Sequence, residues 1–484
     1  MRGVLSFFFL LIFSFTIFSC YRTKSSDGGG NISKVKERTI NTEDIALPEG
    51  YQIEAVATGL TFPTGIAQDE QGLLYVVESG YAYGEVWTEP RLLRVTPDGE
   101  KTVMVTGNDN GPWNGIDYYN GQFYIAEGGQ LGGGKILRVD YEGMIDTLLS
   151  DLPSVGDHHT NGPKVHDGYI YFSQGTATNS AIVGKDNQEF GWLDRQPHFH
   201  DIPCKDITLT GQNFETDYVL SANEDDRART GAFVPFNTTT SPGEVIEGSI
   251  PCTGAILRMP LEGGEPELVA WGLRNAYGMA FTDNGQLYAT ENAYDNRGSR
   301  PVWGAGDVLW EIIDDHWYGF PDFSAGKPID DDEFKAPGEP APAPLLQEVP
   351  TIIPQPTAIL GVHSSSNGLD FSKNDEFGYK GQAFIAQFGD MAPQVGKVMA
   401  PVGFKVVRVD PGTGQVSDFV VNKGRKNGPA SWQEHGGIER PNDILFSADG
   451  QAMYIVDFGI VKTTDDGPEP QKETGVIWKV SRKP

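Results

Sequence analysis

An all-β fold of six blades around a central axis is predicted by three observations. The first is a phrase that recurs six times: a polar cluster, usually a Gly, an apolar residue, a turn, then an apolar strand ending on a polar residue. Its copies start at Pro63-Thr64-Gly65-Ile66, Trp113-Asn114-Gly115-Ile116, Thr160-Asn161-Gly162, Ala276-Tyr277-Gly278-Met279, Ser366-Asn367-Gly368-Leu369 and Pro441-Asn442-Asp443-Ile444. The second is a following strand with an Arg or Lys between apolar residues, as in Leu92-Leu93-Arg94-Val95, Ile136-Leu137-Arg138-Val139, Ile256-Leu257-Arg258-Met259, Val406-Val407-Arg408-Val409 and Ile477-Trp478-Lys479-Val480. The third is composition: 60 Gly and 32 Pro in 484 residues, with no long helical periodicity, fit many short strands joined by turns.

Taken from the N-terminus, Met1-Arg2 opens a basic start, Leu5 to Phe18 is a Phe-rich apolar run, and Ser19-Cys20 follows. This pattern predicts a secretory signal over residues 1–20, its apolar core of about 14 residues being short for a membrane span. Ile17-Phe18-Ser19-Cys20 resembles a bacterial lipobox, which implies lipidation at Cys20 and an exported, lipid-anchored protein of the cell envelope, on the periplasmic or outer-membrane face. Residues 21–45, with Ser25-Ser26 and Gly28-Gly29-Gly30, have the composition of a flexible tether.

The propeller is expected over residues 46–484. The sixth blade has no room for an outer strand before Pro484, so Ile53-Glu54-Ala55-Val56-Ala57 is expected to complete it and close the ring, removing an exposed pair of sheet edges. Blade three carries an insertion over about 180–251, and blade four an acidic and Pro-rich loop over about 330–356. Cys204 and Cys252 lie in the same insertion, and export permits a bridge between them; it would stabilise by about 4 kcal/mol in the chain-entropy model. The net charge of −29 opposes binding to nucleic acid and to anionic membrane surfaces, leaving the lipid as the membrane contact.

Aligned, the repeats give columns. One reads Thr64, Asn114, Asn161, Tyr277, Asn367, Asn442; two residues earlier stand Phe62, Pro112, His159, Asn275, Ser365, Arg440. Both are expected to face one side. The strand-end column, Glu78, Glu127, Gln174, Glu291, Gln387, Asp457, is expected to line the channel. Two clusters stand out, Asp157-His158-His159-Thr160-Asn161-Gly162 and Gly272-Leu273-Arg274-Asn275: paired histidines can serve as base or ligand, and an Arg at a channel neck suits an anionic or quinone oxygen. Pro197-His198-Phe199-His200-Asp201 is a weaker metal pattern.

Over residues 50–482 the chain resembles the glucose/sorbosone dehydrogenase family, through His159-Thr160-Asn161-Gly162, Gly272-Leu273-Arg274-Asn275-Ala276-Tyr277-Gly278-Met279-Ala280-Phe281, Tyr318-Gly319-Phe320-Pro321 and Gly403-Phe404-Lys405-Val406-Val407-Arg408-Val409. The resemblance implies a six-bladed propeller that oxidises an aldose or related sugar with pyrroloquinoline quinone (PQQ) and calcium, passing electrons to a separate acceptor. It implies His159 as the general base, Arg274 as the group stabilising the reduced quinone, and Asn275 and Arg440 as cofactor or substrate contacts, with Asn442 at a position where the family has a second Arg. The calcium loop would fall at Glu291-Asn292-Ala293-Tyr294, without the family's Gly-Pro; Thr176 stands where the carboxylate orienting the base is expected, and the blade-five Lys is absent near Phe388-Gly389. Two other classes remain open from the residues: a lactonase-type hydrolase with an axial Ca²⁺ held by Asn114, Asn161, Asn367, Asn442 and the strand-end acids, and a non-catalytic surface-binding propeller.

Overall fold

The computed structural model describes residues 38–484 except 83–85, 130, 190, 224, 352, 391–399, 425–426 and 465–466. The signal segment, Cys20 and most of the tether lie outside the described residues.

Six antiparallel sheets follow one another in chain order. Blade one is Pro63–Gln68, Leu74–Glu78, Arg91–Val95 and Lys101–Thr106, from the axis outward. Blade two is Trp113–Tyr119, Gln122–Glu127, Gly134–Val139 and Ile145–Leu152. Blade three is Thr160–His166, Tyr169–Gln174, Ala255–Pro260 and Glu267–Trp271, with His316–Trp317 added in parallel at its edge. Blade four is Ala276–Phe281, Leu287–Glu291, Gly306–Glu311 and Ala358–Val362; blade five is Ser366–Phe371, Ala383–Gln387, Lys405–Asp410 and Gln415–Asn422. Blade six takes Pro441–Phe446, Ala452–Asp457 and Gly475–Arg482 from the C-terminal part and Tyr51–Leu60 from the N-terminal part. Ile53 faces Val480, so the expected closure of the ring is observed.

Alternation along each strand puts apolar side chains against the next blade. Val77 and Leu92 of blade one pack with Ile125 and Leu137 of blade two; Phe384 and Val406 of blade five pack with Ile455 and Trp478 of blade six. At the axis the inner strands come closer still, which explains the Gly of the repeated phrase. Gly115 has φ 105°, and a Cβ there would overlap the Gly162 carbonyl oxygen of the next blade. A Cβ on Gly278 would likewise strike the Asn367 carbonyl.

The insertion of blade three leaves after Tyr169–Gln174 and returns at Ala255–Pro260. It holds two short helices, Lys185–Glu189 and Trp192–Arg195, and two small two-stranded sheets, and a disulfide joins Cys204 to Cys252. The acidic part of the blade-four excursion, Asp330-Asp331-Asp332, is exposed as expected of a solvated loop. Its Pro-rich end is not: Leu345 is buried, and the Leu345 carbonyl accepts from the Thr210 amide at 2.8 Å, docking this segment on the insertion. Asp322 anchors the same turn by accepting the amides of Leu345 and Leu346 at 2.9 and 2.8 Å.

Candidate functional site

The inner-strand column forms a closed belt. Asn114 donates to Asn161 Oδ1 (3.0 Å), Asn161 to Asn275 Oδ1 (3.2 Å), and Asn275 to Asn292 Oδ1 (3.1 Å). Asn292 donates to the Ser366 carbonyl (2.9 Å), Asn367 to Asn442 Oδ1 (2.8 Å), Asn442 to the Thr64 carbonyl (2.9 Å), and Thr64 Oγ1 to the Trp113 carbonyl (2.6 Å). Every blade contributes. Tyr277 of blade four reaches Asn442 of blade six at 3.0 Å, skipping blade five and so crossing the bore. These amides satisfy one another, as buried polar groups must. Asn442 spends both amide hydrogens in the belt, on Thr64 and Tyr277. The axial cation of a lactonase-type site would need Asn114, Asn161, Asn367 and Asn442 to turn out of this belt.

The strand-end column is a correction to the sequence reading. Its residues sit on the second strand of each blade, not the innermost, and face into the blade. There they hold the loop leading to the inner strand. Glu78 accepts the Thr61 amide at 2.6 Å and pairs with Arg91; Glu127 accepts from Asn110 at 2.8 Å and Trp113 Nε1 at 3.1 Å. Gln174 accepts from Thr160 Oγ1 at 2.8 Å, Gln387 donates to the Leu360 carbonyl at 3.1 Å, and Asp457 accepts the amides of Glu439 and Arg440 at 2.9 Å each. One-dimensional alignment cannot separate first from second strands when both end on polar residues.

At the opposite end of the inner strands, Lys164 stands among Asp117, Asp443 and Asp370. Burial works against its charge, but these carboxylates raise its pKa. Asp117 and Asp370 also accept the amides of Val165 and Phe446 from the next blade, at 2.7 and 2.8 Å.

His159 lies at the mouth above the belt. It is half-buried, with its ring edge-on to Tyr81 at 6.3 Å between centroids. Its carbonyl accepts from Gly175 N (3.1 Å) and Asn161 Nδ2 (3.2 Å), which fixes the backbone beneath the imidazole. Burial lowers its pKa to about 4, so the ring is uncharged at neutral pH. Thr176 orients the neighbouring His158 instead: His158 Nδ1 lies 2.8 Å from the Thr176 carbonyl and 3.0 Å from Oγ1. Burial, then the Arg274 charge, hold His158 well below the usual imidazole range.

Arg274 is buried and held by protein. Its guanidinium donates to the Asn179 carbonyl (3.1 Å), Asn179 Oδ1 (2.9 Å), the Asn292 carbonyl (3.2 Å) and Asp295 Oδ2 (3.0 Å). Beside it Arg297 bridges Asp157 (2.5 Å), Asp186 (2.6 Å) and Asp295 (3.2 Å), tying the insertion to the loop after blade four's second strand. Arg440 is fully buried, with its guanidinium 4.9 Å from the ring centres of both Phe388 and Phe404 and donating to the Gly389 carbonyl at 3.1 Å. Asn275 and Arg274 lie where blade three meets blade four, Asn275 through the belt and Arg274 near His158, whereas the His159 ring faces Tyr81 after blade one's second strand; Arg440 and Asn442 stand in blade six.

The residues singled out for calcium and PQQ do not fit those groups as arranged. Glu291 receives Trp310 Nε1 at 2.5 Å on one oxygen and the Arg274 amide on the other, and Asn292 is spent on Asn275 and Ser366. Positive charge at this loop comes from Arg274 and Arg297, and no group of three or more His, Cys, Asp or Glu among the described residues could hold a metal. His198, His200 and Asp201 do not gather: His200 Nδ1 lies 2.8 Å from the His198 carbonyl, and Asp201 accepts from Ala177 N and Thr178 Oγ1 at 2.7 and 2.5 Å. PQQ carries three carboxylates, which call for cationic donors that face outward. The donors of Arg274 named above go to protein oxygens, and Arg440 is sealed from solvent.

Three residues of this face were missed: Asp295, His363 and Asp390. Asp295 binds Arg274, Arg297 and His363, and Asp390 follows the Phe388-Gly389 carbonyls that Arg440 contacts. None occupies an aligned column; the signal available was a charged residue a few positions past a strand end, at Asp295 after Glu291 and Asp390 after Gln387.

Burial also sets a pH dependence. It raises Glu291 and Glu439 each to about 7. Between about pH 8 and about pH 6.5 the folded chain binds protons there that unfolded glutamates, with a pKa of about 4.3, do not. Stability is thus lost as pH rises through the folded values. Below about pH 6.5 His158 and His159 act in the opposite sense, because the unfolded histidines take up protons first. The expected result in thermal unfolding is a higher Tm at about pH 6.5 than at about pH 8, with a smaller difference in Glu291→Gln. An unchanged or reversed order would contradict the assignment.

No family model matches the chain, and no curated protein matches it. Solved structures do match, along nearly the whole chain. The iodide structure of a Carbohydrate-Active Enzymes family AA12 protein from Trichoderma reesei has 16% identity and a TM-score of 0.55, covering 93% of this chain and 100% of its own. The holo PQQ domain of pyranose dehydrogenase from Coprinopsis cinerea has 15% identity and a TM-score of 0.53, covering 90% of this chain and 97% of its own. The apo form of the soluble aldose sugar dehydrogenase from Escherichia coli has 14% identity and a TM-score of 0.51, covering 90% and 100%. The likeness is one of fold: this chain is a six-bladed propeller of the shape those proteins share.

Proposed function

We propose that this propeller is an oxidoreductase acting on an aldose or related sugar at the face where His159 stands. The observation that carries the reading is His159 itself: a half-buried imidazole at the channel mouth, with its pKa lowered to about 4 and its backbone fixed by Gly175 and Asn161. An imidazole that is neutral at working pH accepts a hydroxyl proton. The structural neighbours named as aldose sugar and pyranose dehydrogenases support sugar as the substrate class. In this reading the belt of amides is the floor beneath the substrate, and the oxidant and a final electron acceptor are separate molecules. PQQ with calcium is the pair the resemblance implies, although the donors named for them are engaged elsewhere.

The test mixes purified protein with a panel of aldoses and an artificial electron acceptor, with and without added PQQ and Ca²⁺. Sugar-dependent dye reduction is expected. No reduction with any sugar, together with an unchanged quinone spectrum, overturns the proposal. We further propose that the chain is exported and lipid-anchored at Cys20. Wild type should then fractionate with membranes and Cys20→Ser should not; equal release of both would refute the anchor.

A further inference from the structure

Arg297 joins three separate parts of the chain. It stands on the loop that follows blade four's second strand, where the resemblance places calcium at Glu291-Asn292-Ala293-Tyr294. Its guanidinium reaches Asp157 at 2.5 Å, in the turn that leads to His158 and His159. It reaches Asp186 at 2.6 Å, on the helix Lys185–Glu189 of the insertion, and Asp295 at 3.2 Å, on its own loop. The meeting point is shielded from water: the side chains of Asp157, Asp186 and Arg297 are 4, 8 and 14% exposed.

Carboxylates from separate elements around one buried centre are an arrangement that divalent cations hold together. Here the positive charge comes from the chain. Asp295 Oδ2 also receives Arg274 at 3.0 Å, so two guanidinium groups share this oxygen and together carry two positive charges. His363 Nδ1 approaches Asp295 Oδ1 at 3.4 Å. The carboxylates hold more oxygen than the guanidinium engages. A guanidinium is a flat fork of fixed donors, whereas Ca²⁺ takes about six to eight oxygens and can hold both oxygens of one carboxylate. Asp186 Oδ2 accepts from Arg297, but Asp186 Oδ1 is buried without a hydrogen-bond partner, and so is Ser299 Oγ. A Cβ built on Gly184 would lie 3.1 Å from Asp186 Oδ1 and 2.5 Å from Ser299 Oγ, so both oxygens border one spot. Buried polar atoms without partners are rare and call for an explanation.

We propose that Arg297 is a built-in cation standing where a divalent metal would otherwise serve. With Arg274 it binds the insertion, the His158-His159 turn and the blade-four loop into one body that needs no calcium. Asp157, Asp186 and Asp295 form a carboxylate set that would take Ca²⁺ once the guanidinium is removed. The unused Asp186 Oδ1 is then a ligand oxygen that a planar fork cannot engage and a spherical ion can. This inference does not rest on the sugar-oxidising reading, and it is read by stability rather than turnover.

The test is thermal unfolding of the purified full-length protein in EDTA and in about 5 mM CaCl₂, a concentration above the range of extracellular calcium modules. Wild type is expected to show the same Tm in both. Arg297→Ala leaves buried carboxylates without their cation, so its Tm in EDTA should fall below that of wild type. Ca²⁺ should raise it saturably, with half the effect at about 10⁻⁴–10⁻³ M. In the double variant Arg297→Ala, Asp186→Asn that rise should be lost. If Arg297→Ala does not fold in EDTA, refolding in the calcium buffer is the readout, and recovery is expected. A wild-type Tm that drops in EDTA and returns with Ca²⁺ overturns the proposal. So does an Arg297→Ala protein that Ca²⁺ neither stabilises nor refolds, or that it stabilises equally when Asp186 is Asn.

Discussion

Replacement of His159 by alanine is expected to lower aldose-dependent dye reduction by about 10²–10⁴-fold, the usual contribution of a positioned general base. The fold should survive. The contacts that anchor this turn run through the His159 backbone carbonyl, to Gly175 and Asn161, and alanine keeps that carbonyl. His158→Ala serves as the contrast. His158 is held by Thr176 and kept neutral by burial beside Arg274, so its loss should lower Tm more than it lowers turnover per folded molecule. If instead His159→Ala keeps full turnover, the base is another group.

Asp457→Ala is expected to destabilise the propeller by about 3–5 kcal/mol, the scale for removing one partner of a buried charged network. Asp457 is fully buried and accepts from the amides of Glu439 and Arg440 at 2.9 Å, the Gly459 amide at 3.2 Å and Trp478 Nε1 at 3.0 Å; it also pairs with Arg38. Alanine leaves these donors unsatisfied together. The damage falls where the ring closes, since Trp478 lies on the strand that pairs with Tyr51–Leu60. Despite burial, the Arg38 charge lowers the Asp457 pKa. Its contribution is therefore present above the unfolded pKa and is lost as pH falls through the folded one. Asp457→Asn should recover only part of the loss, because its amide would face donors. Equilibrium denaturation reads both values, and a loss below about 1 kcal/mol, the scale of one ordinary hydrogen bond, would contradict the network.

The apolar half of the repeated phrase was fully legible. Strand alternation and the Gly at close axial approaches are local consequences of sequence, so blade number, the closure by Ile53 to Ala57 and the presence of an insertion in blade three could be read directly. The polar half was legible as rings but not as partners. That Asn114, Asn161 and Asn275 bond to one another depends on the lateral spacing of blades, which Gly115 helps set by allowing contact with Gly162. Glu291 and Asp457 read as channel residues because a polar strand end looks alike on a first or second strand. Their real partners, backbone amides of the preceding loop, leave no trace in side-chain pattern. Family positions at Arg274 and Arg440 matched by residue type, yet Arg274 is tied to Asn179 of the insertion, a contact between distant parts of the chain. His363 and Asp390 escaped notice because they flank the repeat rather than belong to it.

The most direct test of His159 as the base is the pH dependence of kcat/KM for an aldose. Burial lowers the His159 pKa to about 4, so the rate should hold steady from about pH 8 to about pH 5 and fall only around pH 4. The residual rate in His159→Ala should lack that limb. An acidic limb near pH 6.5, about the value of an ordinary exposed histidine, or a limb near pH 4 that persists without His159, would contradict the account.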